Sequence, residues 1–192
     1  MHAIPTLWRG VQFRSRLEAR WAAFFTRIGW PWEYEPVDLK GYIPDFILKL
    51  QNPVLVEVKP FMTVDDPVVE EAYEKILNSG WVKLNSDGSY QAPWDGSRDT
   101  LIVGATLFES ACCDGGISVG LLEASDPPHH ATIGVCDGCG KVSFCSDVMD
   151  YSCRVCGYHD GSQVGSGRKS NHVVMTAWAW AGNQVQWKPA RR

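Results

Sequence analysis

Asp45, Glu57 and Lys59 are the residues whose types and spacing point most directly to chemistry. They lie in two apolar runs, Ile43-Pro44-Asp45-Phe46 and Val54-Leu55-Val56-Glu57-Val58-Lys59, joined through Gln51-Asn52-Pro53, which has the composition of a tight turn. Side chains alternate faces along a strand, so Glu57 and Lys59 share one face and Val56 and Val58 take the other. A connection this short sets Asp45 opposite the stretch from Glu57 to Lys59. Carboxylates gathered on an apolar sheet are costly unless they are paired or coordinate a metal. Mg²⁺ or Mn²⁺, which prefers hard oxygen ligands, fits such a cluster.

A second cluster has a different chemistry. Cys136-Asp-Gly-Cys139-Gly and Cys153-Arg-Val-Cys156-Gly stand thirteen residues apart. Each pair offers two thiolates from one turn, and the glycine that follows permits the positive φ such a turn needs. The spacing is that of a four-cysteine zinc ribbon over about residues 133–160. Four thiolates fill a tetrahedral Zn²⁺, so the metal is expected to be structural. Cys112, Cys113 and Cys145 are expected to be buried structural thiols. His129, His130 and His159 are not needed as ligands.

The elements that must position these residues follow from periodicity and punctuation. Leu17, Trp21, Phe24, Phe25 and Ile28 recur at helical spacing between Ser15 and Gly29 and predict a helix there. Trp32–Val37 reads as a strand, followed by the hairpin from 43 to 59. Asp66-Pro67 reads as an N-cap and first helical position, opening a helix that runs toward Gly80. Residues 85–99, rich in Gly, Ser, Pro and Asp, read as a loop. Leu101–Leu107 and Ile117–Leu122 read as buried strands. Residues 171–187 suit a helix better than a strand. This order predicts an α/β fold, a mixed sheet flanked by helices, over 1–124. A linker over 125–132, the zinc module over 133–160 and a basic, helical tail over 161–192 follow.

Glu18 on the first helix, Pro44-Asp45 on a strand and Glu57-Val58-Lys59 on the next together resemble the PD-(D/E)XK nuclease superfamily, of restriction-endonuclease-like fold, over roughly residues 8–122. The resemblance implies that Asp45 and Glu57 ligate Mg²⁺ or Mn²⁺, with the carbonyl of Val58 as a further ligand. It implies that Lys59 orients the attacking water and that Glu18 binds metal directly or through water. From the residues alone, Glu18 has a second role open to it: Ser15-Arg16-Leu17-Glu18 is also a capping box. Glu70, Glu71, Tyr73 and Lys75 are expected on the solvated face of the following helix. Trp81 and Trp94 flank the polar loop, where stacking on unpaired bases is the less favoured role.

Charge distribution fits a phosphate-rich partner. The net charge is −4, yet Arg9, Arg14, Arg16, Arg20 and Arg27 meet Glu18 as the one acid of the first 28 residues, and Arg154, Arg168, Lys169, Lys188, Arg191 and Arg192 enrich the end. Arg14, Arg16, Arg20, Arg27 and Lys169 are the expected nucleic-acid contacts. DNA is the expected substrate, RNA stays open, and so does a homodimer or larger complex. No apolar run is long enough for a membrane span, and paired cysteines suit a reducing cytoplasm. The expected function is a metal-dependent DNA endonuclease, carried by a phage or mobile element. Its rivals are a catalytically silent nucleic-acid-binding or scaffolding protein and a subunit active only within a complex.

Overall fold

The computed structural model describes residues 3–82, 99–109, 116–122, 129–146, 152–158 and 168–186, the last with side chains from residue 171 onward. Thr6–Trp8 (β1) and Val11–Phe13 (β2) form an antiparallel hairpin. Its two-residue turn is Arg9-Gly10, both at positive φ, which matches the twist of paired strands. Arg16–Ile28 (α1) follows, with Ser15 as N-cap and Gly29 in the left-handed conformation closing it. Trp32–Tyr34 (β3) is shorter than the expected 32–37 strand. Glu35 takes a φ of 45° and Pro36 follows, which ends the extended backbone.

Phe46–Lys49 (β4) and Pro53–Val58 (β5) form the expected hairpin, with Phe46 opposite Val56. Asp45 lies in the bend just before β4 rather than within a strand. Pro67–Asn78 (α2) is capped by Asp66, whose carboxylate accepts from Val68 N. Thr100–Val103 (β6) pairs parallel to β5 and stops four residues before the expected end. There is no room for a Cβ at Gly104, which would meet Phe61 O at 2.8 Å, and the chain turns away to Phe108–Glu109 (β7) and Ile117–Leu122 (β8).

His129–Val135 (β9) and Val142–Ser146 (β10) complete the sheet. Among the described residues it has eight strands in the order β10-β9-β8-β6-β5-β4-β3, with β7 beside β8, and every pairing except β5–β6 is antiparallel. Residues 129–132, expected to be a linker, are therefore a paired strand, because Ala131 and Ile133 are fully buried and complete the core beside β8. Arg168–Gln184 (α3) is the expected helix.

α1 and α3 cover one face, where Trp178 packs at 4.5 Å from Trp21 and 5.6 Å from Phe24. α2 covers the other with Val69, Ala72 and Ile76 against Leu55, Ile102 and Leu121. The fold is thus α/β with helices on both faces of the sheet. Gly120 marks its tightest approach: a Cβ there would stand 2.4 Å from Ile102 O, at the register shift between Ser118 and Leu121. Gly120→Ala is expected to destabilise the protein by about 2–3 kcal/mol in urea unfolding, because the obstructing atom is backbone and cannot swing aside. An unchanged midpoint would contradict this packing.

Candidate acidic and four-cysteine sites

The β4–β5 register, continued one residue, sets Asp45 across from Glu57. α1 delivers Glu18 to the same place. The three acids are only 3, 5 and 7 % exposed for Asp45, Glu57 and Glu18. Asp45 Oδ2 accepts from Val58 N at 2.7 Å, and Oδ1 meets Arg14 Nη2. Glu57 Oε2 accepts from the Tyr42 hydroxyl at 2.8 Å, and Oε1 pairs with Lys59 Nζ. Glu18 Oε2 accepts from Tyr34 OH at 2.6 Å and from Arg14 N at 3.1 Å. Ser15 Oγ accepts from Glu18 N, which is half of a capping box, but the Glu18 carboxylate points to Tyr34 and Arg14 N.

Arg14 sits within the cluster rather than on an outward basic face. Its Nε reaches Glu35 Oε1 at 2.9 Å and lies 4.0 Å from Glu18. The β1–β2 hairpin aims it there, and sequence reasoning did not separate it from the other arginines. Tyr34, Glu35 and Tyr42 were also missed. The available signal was Tyr42, three residues before Asp45, and Glu33-Tyr34-Glu35 one strand away. Glu18, Glu35, Asp45 and Glu57 against Arg14 and Lys59 leave two formal negative charges, the charge of one divalent cation.

Burial, then the charge of Glu57, pushes the Asp45 carboxyl up to about 7 against the pull of Val58 N–H and Arg14. The Tyr34 phenol is raised to about 12 by burial and by its bond to Glu18, so it remains a donor at neutral pH. Burial lowers the Arg14 guanidinium, but Tyr34 and the surrounding carboxylates outweigh it and hold it charged.

The raised Asp45 value sets a sign. Between about pH 4 and 7 the folded protein keeps a proton that the unfolded chain releases, so stability without divalent metal falls as pH rises through that window. The loss is on the order of a few kcal/mol. Were a divalent cation to bind the cluster, it would replace the proton, and excess Mg²⁺ would then raise the melting temperature more at pH 8 than at pH 5. An equal shift at both pH values would detach Asp45 from cation binding.

The second site is a single cage. The four Sγ atoms of Cys136, Cys139, Cys153 and Cys156 lie within 4.8 Å of one another, with Cys136–Cys156 and Cys139–Cys153 both at 3.9 Å. A tetrahedral ion with metal–sulfur bonds of about 2.3 Å spaces its sulfurs about 3.8 Å apart. The halves repeat one geometry: Gly140 N bonds Cys136 O and Gly157 N bonds Cys153 O, each at 2.8 Å, with φ of 68° and 74°. Burial raises the Cys153 thiol, but the Ser143 hydroxyl and the N–H groups of Cys156 and Val155 outweigh it and bring it down to about 7. These four cysteines are positioned to bind a metal ion. Both half-sites hang from the main sheet, through β9–β10 and through the Gln51 N–Arg154 O bond of 2.9 Å.

The remaining expected residues fall in different places. Arg16 and Arg27 are exposed, and Arg27 lies over Trp180 at 5.5 Å. Arg20 does not project outward as expected: it lies against α3, its guanidinium 3.7 Å from the Trp178 ring centroid. Lys169 is in the first turn of α3, and its side chain lies outside the described residues. Glu70, Glu71 and Lys75 are on the exposed face of α2. Trp81 packs against the α2 cluster, which leaves it poorly placed for base stacking. Cys145 is buried in β10, 3.8 Å from Thr132 O. Cys112, Cys113, His159 and Trp94 lie outside the described residues. His129 and His130 are half-buried in β9. No helix is long and apolar enough to cross a membrane among the described residues. No family model, curated protein or solved structure matches the chain.

Proposed function

We propose that the protein is a divalent-metal-dependent nuclease of PD-(D/E)XK type, acting first on DNA, with Zn²⁺ held structurally by the four cysteines. The observation that carries this reading is the juxtaposition of Asp45 and Glu57 on neighbouring chain segments, with Lys59 paired to Glu57 and Glu18 brought in from α1. The donor set fits Mg²⁺ or Mn²⁺, being hard oxygens that include a carboxyl raised to about 7 by burial and by the charge of Glu57. Asp45, Glu57 and the Val58 carbonyl are the proposed holders of the cation, with Glu18 direct or through water. When bound, the metal supplies Lewis acidity and a more acidic water.

The chain's own groups do the rest. Asp45 gives up its proton when the cation arrives. Tyr42 and Tyr34 hold Glu57 and Glu18 in single orientations through their hydroxyls. Lys59, its side chain 22 % exposed at the mouth of the cluster, orients the attacking water by hydrogen bonding while Glu57 holds the ammonium in place. Arg14 faces the same opening and is half-exposed, so it is available to an incoming phosphate oxygen.

One observation favours the silent alternative. Arg14 already contacts Asp45, as a built-in counter-ion that stabilises the fold without metal. Labelled single-stranded, duplex and branched DNA and RNA, incubated with the zinc-replete protein in Mg²⁺ or Mn²⁺, separate the two. Cleavage of at least one substrate is expected. Intact substrates throughout, with binding indifferent to Asp45→Ala, would sink the nuclease reading in favour of a binding or scaffolding role.

A further inference from the structure

Arg20 is a half-buried cation with very few partners. Its guanidinium carbon lies over the Trp178 ring, 3.7 Å from the centroid, its Nη2 donates to Trp178 O at a long 3.4 Å, and its buried Nε has no hydrogen-bond partner. Gly182 makes this possible: a Cβ there would press on Arg20 Nη2, Cζ and Nε at 3.3–3.4 Å. Among the described residues no carboxylate pairs with Arg20 or with Arg16, one helical turn earlier on the same face of α1. Burial lowers the Arg20 guanidinium. A desolvated charge normally has a counter-ion. Among the described residues, the fold provides the ring and no acid.

The two arginines line a groove of about 610 Å³ between α1 and α3, with Asn183 and Gln186 on its α3 side and Ala105 at its floor. Ala105 ties the groove to the acidic cluster. Its N–H bonds Phe61 O at 2.8 Å, just past Lys59, whose own N–H bonds Val103 O at 2.9 Å. The groove and the carboxylates therefore share the end of the sheet where β5 and β6 finish. Arg16 is two residues from Glu18 on the helix that borders both.

We infer that this groove is an anion subsite that takes a backbone phosphate of the nucleic-acid strand held at the acidic cluster, with Arg20 as the stacked, fixed donor and Arg16 as the mobile one. The inference rests on the proposed nuclease reading for its ligand, and on Arg20 and the groove for its chemistry. A guanidinium stacked on an indole keeps in-plane N–H groups directed at its rim, the geometry suited to a tetrahedral oxyanion. The amides of Asn183 and Gln186 line the same groove, joined by a Gln186 Nε2 to Asn183 Oδ1 bond of 3.2 Å.

The test is oligonucleotide binding by fluorescence anisotropy across a salt series, without added divalent metal, for wild type, Arg16→Gln, Arg20→Gln, Arg20→Lys and Arg9→Gln. Each phosphate contact contributes about 0.9 to the slope of log K against log salt on duplex, and about 0.7 on single strands. Arg16→Gln and Arg20→Gln are each expected to lower the slope by that amount and to weaken duplex binding about eightfold at roughly 0.1 M salt. Arg20→Lys keeps most of the slope. Arg9→Gln, an arginine over Trp8 on the β1–β2 hairpin, changes neither quantity. Wild-type affinity and slope in both glutamine variants would overturn the subsite and leave the nuclease reading standing. Should Arg20→Gln fail to fold, Arg16→Gln carries the same comparison. If the wild type binds no nucleic acid, the nuclease reading falls and inorganic phosphate becomes the probe. An Arg20-dependent shift of the Trp178 indole resonance then supports an anion site of its own, and no shift overturns it.

Discussion

Glu57→Gln is expected to leave the protein folded, with its midpoint within about 1 kcal/mol of wild type, and to lower metal-supported cleavage by at least about 10³-fold. The two halves of that expectation come from the same hydrogen bonds. Glu57 has one oxygen on Lys59 Nζ and the other on the Tyr42 hydroxyl. A glutamine of the same shape keeps its oxygen toward Lys59 and turns its amide N–H to Tyr42, whose oxygen can accept. The Tyr42 hydroxyl changes from donor to acceptor and its proton turns away from Glu57, which keeps the cost at about 1 kcal/mol rather than at zero. The charge is lost, and with it a ligand of the proposed cation.

The same substitution reports on Asp45. Glu57 is the largest charge raising the Asp45 carboxyl, second only to burial. In Glu57→Gln that carboxyl returns part of the way to its ordinary range, and the fall of metal-free stability between about pH 4 and 7 becomes shallower. Asp45→Asn differs. One oxygen still accepts from Val58 N, but its amide then faces Arg14 Nη2, donor against donor, and a loss of stability is expected. Wild-type cleavage by Glu57→Gln would remove the acidic cluster from the chemistry. Lost cleavage with an unchanged pH profile would separate catalysis from the carboxylate coupling.

What the sequence disclosed follows the range of the interactions involved. α1 was legible because Ser15 and Gly29 bracket an apolar stripe, and α2 because Asp66-Pro67 opens it; caps and periodicity act within a few residues. The juxtaposition of Asp45 and Glu57 was legible for the same reason, since one short turn fixes that register. The cysteine cage was legible from spacing, because each half closes on itself. The illegible parts depend on distant pairing. Nothing near His129 announces that residues 129–135 pair with β8, because that pairing serves a core assembled from Trp30, Ile117 and Phe144. Arg14 looked like one more surface arginine until the β1–β2 hairpin turned it toward Asp45 and Glu35. Tyr42 and Tyr34 carry only the signal of lying close to Asp45 in sequence or one strand away, because their partners Glu57 and Glu18 are on other elements.

That shared core makes the second large prediction global. Cys153→Ser is expected to lower stability by at least about 5 kcal/mol and to do so in one cooperative transition, with the acidic hairpin loosened as well. A self-contained ribbon would melt by itself and leave the sheet untouched. Here β10 places Phe144 5.3 Å from Trp30, whose indole N–H bonds Val142 O at 2.8 Å. Arg154, inside the second cysteine turn, forms a fully desolvated pair with Asp99, both side chains 5 % exposed. Asp99 O accepts from Leu55 N of β5 at 3.1 Å, and Arg154 O accepts from Gln51 N in the β4–β5 turn at 2.9 Å. One residue of the metal turn therefore contacts the β4–β5 turn directly and the middle of β5 through Asp99. Without a metal ion to close it, that turn is free to move, and the buried Arg154–Asp99 pair is exposed to separation at a cost in stability. Arg154→Met, which keeps the cysteines and removes the guanidinium from the buried Asp99 carboxylate, is expected to cost about 3–5 kcal/mol with metal content unchanged. Calorimetry and hydrogen exchange at Gln51 and Leu55 distinguish the cases. Two separated transitions in Cys153→Ser, with protection at those amides retained, would mean that the cage supports only itself.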